Sequence, residues 1–227
     1  MAEAPVPVRP VKVWDGWIRL VHWALVALLC LSWWAVETSR MRLHLLSGYT
    51  VLTLVLFRIA WGLVGSDTAR FSRFLRSPLN ALRHLRHLRR REPDTEIGHN
   101  AAGGWMVLVL LGLLLTQAVA GLFSSEEPGM GYGAEGPLAG LVATATVERL
   151  TGIHHFNFNL ILAASGLHVL AVLAYRLLKG QDLVRPMVTG VKELPAEVAA
   201  PRLGSPLLAA TLLGAAALIV WGVTRRG

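Results

Sequence analysis

Residues 153–178 read IHHFNFNLILAASGLHVLAVLAYRLL. The run contains no Asp, Glu or Lys, and only Arg176 near its end, yet it carries three histidines. A helix of this length, rising about 1.5 Å per residue, spans a hydrocarbon core of about 30 Å. Lipid leaves backbone polar groups without water, so a continuous apolar stretch this long must satisfy them as a helix; barrel strands alternate instead. An ionisable side chain at the centre of such a span costs about 2.5 kcal/mol or more in its charged form, so a histidine there is a functional residue by default. His154 and His168 are 14 residues apart, about 40° short of whole turns. They project from nearly one face, separated by about 21 Å along the axis. His155, about 100° away, does not share that face.

Working outward, four further apolar blocks have spanning length: Trp17–Val36, Leu43–Val64, Gly103–Phe123 and Pro206–Val223. With Ile153–Leu178 they make five spans. Composition agrees, since 54% of residues are hydrophobic and 16% charged, against about 25% charged in a soluble domain. The expected fold is an all-α membrane protein, with a four-helix transmembrane bundle in residues 1–195 and a fifth C-terminal span in residues 196–227. The segment before the first span is polar and proline-containing, and the span lacks an A-x-A-like cleavage site, so it is read as retained.

The net charge of +8 reports topology and not nucleic acid. Arg9, Lys12 and Arg19 precede or open the first span. Arg70, Arg73, Arg76, Arg83, Arg86, Arg89, Arg90 and Arg91 crowd the loop after the second, and Lys179, Arg185, Lys192 and Arg202 follow the fourth. With alternating spans these fall on one side, the cytoplasmic side by the positive-inside rule. The opposite loop, Ser124–Gly152, carries Glu126, Glu127, Glu135 and Glu148 against Arg149; its glycines also suit a flexible connector. Leu79, Leu82, Leu85 and Leu88 recur at helix-like intervals within the basic loop, as in an amphipathic helix on an anionic lipid surface.

His84, His87 and His99 read as exposed or interfacial polar residues. His22, His44, His154, His155 and His168 lie within or at the ends of spans. A single histidine there also suits a helix–helix hydrogen bond. Four at matched depths suit ligands. His44 pairs with His154 at the outer level, and His22 with His168 toward the cytoplasm. Two imidazoles facing across a bundle provide the axial nitrogens of a low-spin haem iron. Zinc takes four ligands, or three plus an open position. Cys30 stands alone and no CxxCH occurs, so any haem is held noncovalently. Gly48, one turn after His44, suits close haem packing or ordinary helix packing, as do Gly112, Gly121 and Gly166. Arg19, Arg58 and Arg149 suit propionates or snorkelling to the interface.

Four stretches then carry a resemblance: VWDGWIRLVHW at 13–23, LHLLSGYTVLTLVLFRIAWGLVGS at 43–66, GHNAAGGWMVLVLLGLLLTQAVAGLF at 98–123, and the two-histidine span followed by LVRPMVTG at 183–190. Over residues 11–195 the chain resembles the prokaryotic di-haem cytochrome b561 family, which includes the membrane cytochrome b subunits of nickel–iron hydrogenases. The resemblance implies two haem b on His22, His44, His154 and His168, and electron transfer across a bacterial inner membrane between a periplasmic redox partner and the quinone pool. His155 stands where the family leads one to expect an acidic residue, which leaves a swap of His154 and His155 open. The implied partners are membrane lipid, a quinone, a periplasmic redox protein or subunit and, in an oligomer, further copies of the chain. A transporter or assembly protein using its histidines for protons or substrate is the alternative reading, and a metal-dependent membrane enzyme a third.

Overall fold

The computed structural model describes residues 7–80, 95–125 and 135–225. Its long elements are α1 (Gly16–Glu37), α2 (Met41–Val64), α4 (Ala101–Phe123), α5 (Thr144–Ala174) and α7 (Pro206–Thr224), with short α3 (Phe71–Phe74) and α6 (Val184–Thr189). All five long helices are long and apolar enough to cross a membrane, counting α5 with its π-helical last turn Tyr175–Lys179. The all-α membrane fold expected from the sequence is therefore the one observed, and four of the five spans begin and end within two residues of their sequence limits.

One expectation needs correcting. The fourth helix starts at Thr144, nine residues before its apolar run, so Thr144–Gly152 is helical and not part of a loop. TATVERLTG has no sustained apolar stretch, and hydropathy cannot register a helix that continues beyond the lipid. The polar amino-terminal segment forms a strand: Val8–Lys12 (β1) pairs antiparallel with Val191–Pro195 (β2), Val8 opposite Pro195 and Lys12 opposite Val191. Each strand has five residues, and the partners lie far apart in sequence, so no local turn signal joins them. Leu82, Leu85 and Leu88, with His84 and His87, lie outside the described residues, as do Glu126 and Glu127.

The backbone groups into two compact units. The first comprises Met1–Leu20, Trp61–Leu108 and Gly166–Ala209. Its polar anchor is the Ser66–Thr68 turn after α2. Thr68 Oγ1 donates to the Val13 carbonyl at 2.7 Å, Ser66 Oγ accepts the Gly204 N–H at 2.8 Å, and Asp67 Oδ2 accepts the Arg202 N–H at 3.0 Å. Asp67 also pairs with Arg70. Together these bonds hold the Asp67 carboxyl below the usual carboxylate range, the Arg202 amide first and Arg70 after it. Asp15 caps α1, its Oδ1 accepting the Ile18 N–H at 2.8 Å while Oδ2 accepts Trp61 Nε1–H at 3.1 Å, which satisfies an otherwise orphaned helix donor. Gly190 ends α6 at φ +85°, where a side chain would meet the Trp14 carbonyl and Arg19; its carbonyl accepts the N–H groups of Val13 and Trp14.

The second unit comprises Val21–Ala60, Val109–Ser165 and Ala210–Gly227. Its turn from α1 to α2 is short because Ser39 takes a left-handed conformation (φ 55°). The Arg40 N–H reaches the Ala35 carbonyl at 2.7 Å and the Ser39 N–H reaches Val36 at 2.9 Å, the bond pair of a Schellman closure. Leu52, Leu122 and Val220 form a buried cluster joined by Tyr49, Leu115 and Val223. The fifth helix, α7, thus packs on α2 and α4.

Candidate functional site

The tight α1–α2 turn carries His44 back along α1. His44 Nδ1 lies 2.9 Å from Ser32 Oγ and 3.2 Å from the Ser32 carbonyl. On α5, His154 Nδ1 lies 2.9 Å from the Gln117 carbonyl of α4. A carbonyl oxygen only accepts, so each ring nitrogen that bonds one carries the proton, and the other nitrogen, Nε2, presents a lone pair. This is the tautomer of a metal-ligating histidine, whose far N–H is usually held by a carbonyl or carboxylate. Among the described residues neither Nε2 has a hydrogen-bond partner.

The two rings lie edge-on to each other with centroids 6.1 Å apart and planes at 83°. Two nitrogen–metal bonds of about 2 Å, plus roughly 1 Å from each nitrogen to its ring centre, place bis-imidazole centroids about 6 Å apart. The spacing suits one metal atom between them. Direct ring packing does not need a matched pair of Nδ1 tethers. No group of three or more His, Cys, Asp or Glu gathers among the described residues. A two-nitrogen pair fits an iron whose remaining ligands come from a macrocycle better than it fits zinc.

The surroundings also fit a macrocycle. A Cβ on Gly48, one turn beyond His44, would meet no described protein atom within 4 Å, so space lies open beside that histidine. Gly121 differs, because a Cβ there would approach His154 Cε1 to 2.9 Å and Nδ1 to 3.2 Å. Its bare backbone is what lets the imidazole reach the Gln117 carbonyl. Gly112 and Gly166 have open space.

His155 is exposed while His154 is half-buried and faces His44. His22, half-buried and edge-on to Trp23, belongs to the second unit, whereas half-buried His168 belongs to the first. His99 sits between Trp14 and Phe74 in the first unit, with ring centroids 4.7 and 4.8 Å away, so it is a packed residue and not an exposed one. Arg58 is 6% exposed within α2. Arg19 donates through Nη1 to the Val188 carbonyl at 2.5 Å, while its buried Nε has no hydrogen-bond partner among the described residues, a donor suited to an anionic group. Arg149 is exposed on the early turns of α5.

Three contributors escaped the sequence reading: Ser32, Gln117 and Asn157. Asn157 is buried, and its Nδ2 donates to the Leu113 carbonyl at 2.9 Å and to Gln117 Oε1 at 2.8 Å. Amides inside spans are a usable signal, but their choice of partner depends on helix rotation, which the chain does not spell out locally.

Long apolar helices with paired, tautomer-fixed histidines define a multi-pass membrane protein built to hold a metal centre within its spans. A family model described as prokaryotic cytochrome b561 matches residues 13–190, more than half of the chain. The protein belongs to the prokaryotic cytochrome b561 family: it is a membrane b-type cytochrome that binds haem b and transfers electrons. Neither a curated protein nor a solved structure matches it. The fifth helix, α7, lies beyond the matched residues.

Proposed function

We propose that the protein is a di-haem cytochrome of the bacterial inner membrane, moving electrons between a periplasmic redox partner and the quinone pool. The observation that carries most weight is the His44–His154 pair, with both Nδ1 atoms tethered and a 6.1 Å ring spacing. His22 and His168 are proposed to hold the second haem. Support comes from the spacing on α5, where His154 and His168 leave one face about 21 Å apart along the helix. Residues 1–195 form the haem domain in this reading, and α7 is an addition to it.

Haem, when bound, supplies a one-electron iron couple. His44 and His154, and His22 and His168, would hold the iron between their imidazoles, and a group held in this way would supply outer-sphere electron transfer without binding a substrate. Ser32 and Gln117 hold the imidazoles in orientation through their Nδ1 atoms. Gly48 leaves room beside His44. Arg19, Arg58 and Arg149 are proposed to face propionates, the orphaned Arg19 Nε supporting the first of these assignments. Lys and Arg crowd the amino terminus, the loop after α2 and the segment after α5, which supports a cytoplasmic amino terminus. The acidic residues near α5 are then periplasmic and available to a redox partner.

Reconstitution in liposomes tests the quinone link. A lipid-soluble quinol should reduce the haem, with the reduced absorption bands appearing within the mixing experiment. Haem that dithionite reduces but quinol does not would contradict it.

A further inference from the structure

Two polar side chains on one face of α5 meet two successive carbonyls on one face of α4. His154 and Asn157 are three residues apart, and so are neighbours on the helix surface. Leu113, Gln117 and Gly121 recur every fourth residue and line the opposing face. Gly121 makes room for the His154 ring, the Gln117 carbonyl holds its Nδ1–H, and Leu113 receives Asn157 one turn further along. Asn157 also donates to Gln117 Oε1 at 2.8 Å and is only 4% exposed.

We propose that Asn157 is a positioning residue for His154, bracing α5 against α4 so that the Gln117 carbonyl stays bonded to the imidazole. The proposal rests on His154 being a haem ligand. A hydrogen bond from Nδ1–H to a carbonyl pushes electron density onto the ring and makes Nε2 a better donor. A stronger donor favours the oxidised iron, so the brace lowers the midpoint potential of that haem. Gln117 thereby has two separate tasks, its backbone on His154 and its side chain on Asn157. Low-dielectric surroundings make such a network costly to leave half-satisfied.

The test is a potentiometric titration of the full-length protein in detergent, following the haem bands. His154→Ala first identifies the component that depends on this ligand. Asn157→Leu should then raise the midpoint potential of that component alone, with the low-spin bands of both haems kept. Because Asn157→Leu strands Gln117 Oε1, the double variant Asn157→Leu, Gln117→Leu is measured beside it. Removing both partners relieves the unsatisfied group without restoring the brace, so the upward shift should persist. Wild-type potentials with full haem content would overturn the proposal. Equal displacement or joint loss of both components in both variants would do so as well, marking Asn157 as general packing. If His154→Ala removes no component, the ligand assignment itself falls, an outcome distinct from an unshifted Asn157 variant.

Discussion

The Ser66–Thr68 turn and the His44–His154 pair both concentrate polar groups where apolar helices dominate, but they are finished differently. In the turn the side-chain oxygens are answered by the chain itself: Ser66 by Gly204, Asp67 by Arg202 and Arg70, Thr68 by Val13. At the histidines Ser32 and Gln117 answer the Nδ1 atoms, and among the described residues neither Nε2 has a hydrogen-bond partner. A closed polar cluster fixes connections, whereas one left open on the side facing a second ligand has work to do with something from outside.

The comparison breaks most visibly if the open cluster is removed. His44→Ala or His154→Ala should each cut the haem content by about half, since one of two axial nitrogens is lost, while His155→Ala keeps it. Pyridine haemochrome assay per mole of protein reads the result, and a loss with His155→Ala would reassign the ligand. Gly121→Ala acts on the same site more gently. Its new methyl meets the His154 ring, and crowding of this kind costs about 1–3 kcal/mol. Haem occupancy at that site should fall, and dialysis against apomyoglobin should strip that haem faster than in wild type.

Changes at the α1 cap and at the closed cluster should alter stability and spare the haem. Asp15→Ala removes the α1 cap and its bond to Trp61, costing about 0.5–2 kcal/mol from the cap. Thermal unfolding in detergent should move down while haem content stays at the wild-type level. The smallest effect is that of acid on Asp67. Its folded pKa lies below the ordinary carboxylate value, so its contribution is fully present above the unfolded pKa of about 3.9 and is lost as pH falls through the lower folded value. Asp67→Asn should therefore weaken the protein at neutral pH and narrow its difference from wild type toward pH 3, as followed by unfolding midpoints.

Much of this arrangement is legible in the sequence. The five spans are plain because lipid demands about 20 apolar residues in one run. His44 and His154 are plain because intramembrane imidazoles are rare and these two share a level. What the chain hides is whatever depends on partners remote in sequence or on helix rotation. The pairing of Val8–Lys12 with Val191–Pro195 joins segments with no turn between them. The extension of α5 back to Thr144 is written in residues of ordinary polarity. Ser32 and Gln117 act largely through carbonyls, which every residue possesses, so no side-chain pattern announces them.

The proposal that four histidines hold two b-type haems is tested by a haem count on purified wild-type protein, combined with a reduced-minus-oxidised spectrum. Two noncovalent haems per chain, both low-spin and titrating as two one-electron components, are expected. A single haem per chain, or a protein that stays colourless when expressed with ample haem, would contradict it.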